Sequence, residues 1–176
     1  MKNGSRDLRF VLKIKAKPMD LYRALTSARE LCRWWLEGAE TDARSGGRLR
    51  MIWPNVRDAQ KKTPFPSAKV ALRDAEGRFL DLDAGRKVSW SWQVPPRKKI
   101  PPLCTFYIEP KGRGAQLTMI HAGFSKEPSA DPVFNGSAEG WEDCLSKLRL
   151  YLETGKTCKA KRLSFKDLPK LLKEAK

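Results

Sequence analysis

Leu8, Phe10, Leu12 and Ile14 alternate with Arg9, Val11, Lys13 and Lys15. A period of two is that of a half-buried strand, so residues 8–16 predict a strand with a mostly basic outer face. Pro18 cannot donate to a sheet ladder but suits the first turn of a helix. Residues 19–26, with Leu21, Tyr22 and Leu25, predict a short helix. A second is predicted over 28–36, with Leu31, Trp34 and Trp35. Ser45-Gly46-Gly47 is a turn signal, after which Leu49, Met51 and Trp53 alternate with Arg48, Arg50 and Ile52. Residues 54–66, with three prolines, Arg57, Lys61 and Lys62, predict an exposed loop.

From 67 to 93 the pattern is strand-like again. Val70 and Leu72 alternate with charge, and Glu76-Gly77 and Asp83-Ala84-Gly85 read as turns. Val88, Trp90 and Trp92 then share one face. Residues 94–102, with four prolines and Arg97-Lys98-Lys99, predict a second basic loop. Cys104, Phe106 and Ile108 face one way in the next strand. Lys111-Gly112-Arg113-Gly114 reads as a hairpin, and Leu117, Met119 and His121 share a face in the returning strand. Asp131-Pro132 suits the start of a long last helix, in which Trp141, Leu145, Leu148 and Leu152 form one apolar stripe; Gly155 suits its C-terminal cap. Strand, two short helices, a run of strands and one long helix indicate an α+β domain with an antiparallel sheet.

Composition narrows the class. A chain of 176 residues can bury one real core, and 36 Lys+Arg against 20 Asp+Glu give a formal charge of +16. That excess favours anionic partners: nucleic acid, an acidic protein or a membrane surface. Cys32, Cys104, Cys144 and Cys158 form no close pair, so neither a zinc site nor a disulfide framework is expected, and no cofactor is implied. With no apolar signal segment and no run long enough to span a bilayer, the protein is expected in the cytoplasm and not in the membrane.

Several local motifs follow one another in a recognisable order: Cys32-Arg33-Trp34-Trp35 after the short helices, Gly46-Gly47 before a strand, Val88-Ser89-Trp90-Ser91-Trp92, His121-Ala122-Gly123-Phe124, and Gly140-Trp141. In this order and spacing, residues 8–154 resemble the START-like helix-grip superfamily (SRPBCC), in its heat-shock-protein-90 ATPase activator-like branch. The resemblance implies a curved antiparallel sheet wrapped around a long C-terminal helix. It also implies a cavity between them, in which many relatives hold lipids, sterols, polyketides or other apolar molecules. Co-chaperones of this branch add an N-terminal domain for chaperone binding, for which a chain of this length is expected to leave no room. The expected organisation is a helix-grip domain over 1–154 and a basic tail over 155–176. The tail contributes +6 of the charge and has a short helix near 167–175.

The expected function is non-catalytic binding of a hydrophobic small molecule or lipid in that cavity. Its candidate lining is Trp35, Met51, Trp53, Trp90, Trp92, Phe106, Met119, His121, Trp141 and Leu145. These large side chains also suffice for ordinary core packing. An unfilled cavity of ~300 Å³ would cost roughly 7 kcal/mol, so any space there should be occupied. His121, the single histidine, is in phase with Leu117 and Met119 and reads as a structural histidine, with a ligand anchor or general base as the sharper alternative. No partner nucleophile stands at a defined spacing, so no catalytic residue is assigned. Asp81 and Asp83 read as a solvent face. Glu139, Glu142 and Asp143 read as first-turn acids complementing the helix dipole. The alternative function is a protein- or nucleic-acid-interaction module. Its candidate anion-binding residues are Lys61, Lys62, Arg97, Lys98, Lys99, Lys159, Lys161 and Arg162.

Overall fold

The computed structural model describes residues 4–53, 74–93 and 99–175. The elements run β1 (Ser5–Ile14), α1 (Pro18–Thr26), α2 (Ala28–Trp34), β2 (Gly38–Thr41), β3 (Arg48–Ile52), β4 (Asp74–Asp83), β5 (Lys87–Gln93), β6 (Leu103–Lys111), β7 (Gly114–Ser125), α3 (Asp131–Thr154) and α4 (Leu168–Glu174). The strands form one antiparallel seven-stranded sheet in the order β1-β7-β6-β5-β4-β3-β2. This curved sheet with a long C-terminal helix is the expected helix-grip arrangement. Val70, Leu72 and the loop 54–66 lie outside the described residues, as do Lys61, Lys62, Arg97 and Lys98.

Strand phase follows the alternation in the sequence. Leu8, Leu12 and Ile14 of β1, Val88, Trp90 and Trp92 of β5, Cys104, Phe106 and Ile108 of β6, and Leu117, Met119 and His121 of β7 are buried. Pairing register then sets rows of neighbours across the concave face: Phe79, Trp90, Cys104, His121 and Leu8 in one, Val88, Phe106, Met119 and Phe10 in the next. Pro18 opens α1 in the first turn, and Ser27 ends α1 and caps α2, its Oγ accepting the Glu30 N–H at 3.4 Å. The Trp34 indole N–H donates to Ala24 O at 3.0 Å and locks the two short helices together. Gly155 ends α3 at φ 72°, its N–H donating to Tyr151 O at 2.7 Å, as a left-handed C-terminal cap requires.

Three expectations are corrected. Glu76-Gly77 is not a turn but lies inside β4, opposite Gln93 and Trp92 of β5. Glycine is needed there for room: a Cβ on Gly77 would sit 1.9 Å from Ser91 O and 2.7 Å from Trp92 Cα. A further strand, β2, appears where the sequence has no apolar alternation. It is a four-residue edge strand, Gly38–Thr41, held by pairing with β3 rather than by burial. Glu139, Glu142 and Asp143 are not in the first turn, because α3 starts at Asp131. The acid at the helix start is Asp131, which pairs with Arg6.

Those mid-helix acids hold the tail. Asp143 Oδ1 accepts the Leu163 N–H at 2.7 Å, and Glu142 Oε1 accepts the Phe165 N–H at 2.8 Å. Arg162 reaches Glu139 at 3.7 Å. Lys147, buried on α3, donates from Nζ to Asp143 Oδ2 at 2.9 Å and to Lys159 O at 3.3 Å. Lys159 in turn donates to Cys32 O at 2.8 Å and Leu36 O at 3.1 Å, satisfying carbonyls at the C-terminal end of α2. Leu163 and Leu168 bury against Leu150 on the outer side of α3, and Phe165 meets Phe10 edge-on at 6.0 Å. The helix expected near 167–175 is present as α4.

Two glycines should respond oppositely to alanine in urea denaturation. Gly77→Ala forces its Cβ into the β5 backbone and is expected to destabilise by about 2–3 kcal/mol or to prevent folding. Gly140, in the middle of α3 with nothing within 4 Å of a Cβ, should gain about 0.5–1 kcal/mol as Gly140→Ala through helix propensity. A neutral Gly77→Ala would show that β4 and β5 do not approach as described.

Candidate functional site

Between the sheet and α3 the sequence candidates come together. Trp90 and Trp92 project from β5, Phe106 from β6, Met119 and His121 from β7, Trp141 and Leu145 from α3, and Trp35 from the end of α2; all are buried. Met51, on β3, is buried in the same core, and Trp53, just past the end of β3, is half-buried against it. The Trp92 and Trp141 rings stack at 5.8 Å and 26°. Trp53 lies 5.6 Å from Trp35 and 5.8 Å from Trp92, and Phe106 lies 5.8 Å from Trp141 and 4.7 Å from Trp90. These separations are those of rings in direct contact.

Register explains why the rings meet. Trp90 and His121 both pair with Cys104, so they lie two strands apart in one row. Trp92 lies further along β5, opposite Gly77, where the missing side chain lets the β5 backbone approach β4 closely. Trp141 reaches this row from α3.

His121 is bonded at both nitrogens. The Trp141 indole N–H donates to His121 Nδ1 at 2.9 Å, and Nε2 lies 2.6 Å from Pro101 O. An indole N–H can only donate and a carbonyl can only accept, so the ring is neutral with its proton on Nε2. Burial holds its pKa below the usual histidine value, against the opposing pull of the Pro101 carbonyl and Asp7. With Nδ1 engaged as an acceptor and Nε2 as a donor, the ring has no free nitrogen for general-base work. It acts as a pin between α3, β7 and the approach to β6.

The remaining ionisable groups near the cluster are quiet. Burial pushes the Cys104 and Cys144 thiols well up, so both are protonated and non-nucleophilic at neutral pH. All four cysteines are free thiols. Among the described residues, no three His, Cys, Asp or Glu side chains are placed to hold a metal ion, and no helix is long and apolar enough to cross a membrane. Asp81 is exposed and pairs with Lys87 at 2.7 Å, a solvent-face role.

The cluster also contains donors that are not satisfied. Trp92 Nε1 is buried and has no hydrogen-bond partner among the described residues. Trp90 Nε1 likewise has no nitrogen or oxygen acceptor among the described residues, and the Cys104 sulfur beside it is a poor one.

Other residues join the site beyond the sequence candidates. Trp34 is fully buried and stacks on Trp35 at 5.3 Å, and Phe124 meets His121 edge-on at 4.6 Å. Phe124 stands in the His-x-Gly-Phe motif, so the signal was present. The role of the Pro101 carbonyl had none, since a backbone acceptor leaves no trace in residue identity. Of the anion candidates, Lys99 and Lys161 are exposed. Lys159 is engaged with the α2 carbonyls and Arg162 with Glu139.

The tautomer has a pH signature. A histidine whose folded pKa is depressed binds fewer protons folded than unfolded, so stability is full above the unfolded pKa of about 6.5 and falls as pH drops below it. His121 is the single histidine, so stability from urea melts should fall between pH 7.0 and 5.5, by at most about 1.4 kcal/mol per pH unit. His121→Gln, which can still donate and accept, should flatten that slope. A flat wild-type profile, or an unchanged slope in the variant, would sink the assignment.

Comparison with known proteins agrees with this architecture. None of the curated proteins matches the chain. The Aha1 dimer of Colwellia psychrerythraea, solved in solution, superposes with a TM-score of 0.66 at 17% identity, over 86% of this chain and 98% of that one. CalU16 from Micromonospora echinospora gives 0.62 at 17% identity, over 99% and 87% of the two chains. CV1439 from Chromobacterium violaceum gives 0.61 at 23% identity, over 87% and 99%. At these identities the likeness establishes the fold. The family described as activator of Hsp90 ATPase homolog 1-like protein matches residues 15–153, which hold the short helices, most of the sheet, the ring cluster and nearly all of α3, and the chain belongs to that family.

Proposed function

We propose that the protein is a non-catalytic binding protein for a flat, apolar small molecule carrying a hydrogen-bond acceptor, taken up at the tryptophan cluster between the sheet and α3. The observation that carries this reading is the Trp92 indole N–H, a buried donor without an acceptor among the described residues, in the middle of stacked rings. Leaving such a donor unpaired costs about 1–3 kcal/mol, which a ligand oxygen would recover. Apolar walls with a few convergent polar groups are the usual composition of a small-molecule site. Trp53, half-exposed after the last residue of β3 and in ring contact with Trp35 and Trp92, is the side chain whose displacement opens the cluster. The absence of a free base or thiolate at the cluster supports binding rather than turnover. The fold family supports a cavity at this place.

Flavone, flat and carbonyl-bearing, is a suitable probe. Titration should quench tryptophan emission saturably. Trp92→Phe, which keeps an aromatic ring and removes the donor, should weaken flavone roughly fivefold to tenfold, the value of one neutral hydrogen bond. Native mass spectrometry and organic extraction of the purified protein should find a co-purifying apolar compound. No saturable flavone binding together with an empty extract would refute the reading.

A further inference from the structure

A second candidate site lies outside the ring cluster. A groove of about 490 Å³ opens beside the edge strand β1, lined by Val11, Leu12, Lys13, Arg149, Phe165, Leu168 and Pro169. Three parts of the chain meet there: β1, the outer side of α3, and the tail. The tail wall lies beyond residues 15–153, the span matched by the family. It stands in place because Asp143 and Glu142 hold the Leu163 and Phe165 N–H groups.

By residue type the lining is apolar apart from two cations, Lys13 and Arg149, with no acid among the lining residues, and its exposed surface is about as polar as apolar. Val11, 52% exposed, stands at the mouth. Lys13 is exposed and its ammonium makes no ion pair among the described residues. Arg149 Nε lies 3.2 Å from Glu153 Oε1, and that same oxygen accepts the Lys15 N–H at 2.8 Å. The single carboxylate is thus shared, and the two terminal guanidinium nitrogens have no partner among the described residues. The groove therefore combines apolar side chains with one unpaired cation, Lys13, and an Arg149 whose charge is met by Glu153 while its terminal nitrogens stay open to a ligand.

Such a surface selects its occupant. A small inorganic anion would meet Lys13 and Arg149 but leave the apolar walls in water. An uncharged chain would cover the walls but leave Lys13 without a counter-charge. A nucleic-acid strand would need open ring faces for its bases, and the one ring present, Phe165, is set against Phe10. A volume of about 490 Å³ lies within the range of small-molecule sites. We propose that this groove binds a single-chain carboxylate amphiphile. Its alkyl chain lies along Val11, Leu12, Phe165, Leu168 and Pro169, and its carboxylate lies between Lys13 Nζ and the terminal nitrogens of Arg149. Charge-assisted hydrogen bonds fix the head, and apolar burial holds the chain.

Dodecanoate below its micelle threshold, titrated calorimetrically into the full chain, tests this. One saturable site is expected. Lys13→Glu, a change on an exposed side chain, should weaken it roughly tenfold or more, and Val11→Glu should weaken it similarly by placing a carboxylate at the mouth. Circular dichroism melts check that both variants fold. Dodecanol should bind more weakly than dodecanoate, and inorganic phosphate should not displace dodecanoate. Because no tryptophan lines the groove, emission should stay unchanged on binding and flavone should not compete. The proposal is overturned by absence of saturable dodecanoate binding, by unchanged affinity in both folded variants, by dodecanol binding as tightly, or by displacement by phosphate. Quenching of tryptophan emission with competition by flavone would also overturn it, since it would place dodecanoate at the ring cluster. Loss of flavone binding alone leaves it standing.

Discussion

The hydrogen bond from the Trp141 indole to His121 Nδ1 is the contact on which the rest of the interior depends. It ties the long helix to β7 at one atom pair. Through Nε2–H it continues to Pro101 O, just ahead of β6. Every member of this short chain has a defined direction, because an indole can only donate and a carbonyl can only accept. Buried polar groups joined in this way specify one arrangement, since breaking either link strands a donor or acceptor away from water. With Trp141 held, its ring is presented flat to Trp92 and edge-on to Phe106. The orientation of the cluster is thus set by a polar contact, although nearly all of its buried area is apolar.

A second constraint acts on the other side of α3. The chain carries a large positive excess, yet its tail is not free in solution. Acids in the middle of α3 accept backbone N–H groups of the tail, and Leu163 and Leu168 bury beside Leu150. Lys159 and Lys147 are turned inward to carbonyls and to Asp143. The cations accordingly divide into two kinds. Some are structural and already neutralised or hydrogen-bonded. Others, such as Lys13, remain open to a partner. Charge counted along the sequence cannot make that division, because it depends on which carboxylates and carbonyls lie within reach.

Much of the fold was legible in the sequence. The alternation in β1, β5, β6 and β7 and the apolar stripe on α3 identify the inward faces, because side-chain direction follows backbone period directly. Less was legible where long-range contact decides. Glu76-Gly77 has the residues of a turn, but Gly77 serves a close approach by β5, a fact about a strand more than ten residues away. Strand β2 has no apolar pattern to read, since its reason to exist is pairing with β3. Glu139, Glu142 and Asp143 lie about two to three turns into the helix that Asp131-Pro132 begins, too far in for the dipole role read from their sequence. They face the tail instead, whose N–H groups and Arg162 they hold, a long-range contact that helix position alone does not show.

The ring cluster shows the division most clearly. Trp90, Trp92, Met119 and His121 could be placed on inward faces from their phase, and Trp141 from its place on the helical stripe, because periodicity is a local property of the chain. Which rings touch, which nitrogen of His121 carries its proton, and which indole is left without an acceptor depend on strand register and on the angle of α3. Those are properties of several segments at once. Sequence determined the fold class, the inward residues and the family likeness. Tertiary structure alone decided that His121 is a pin, that the tail forms a wall, and that Trp90 and Trp92 hold donors unpaired among the described residues, because hydrogen bonds are made between atoms that only folding brings together.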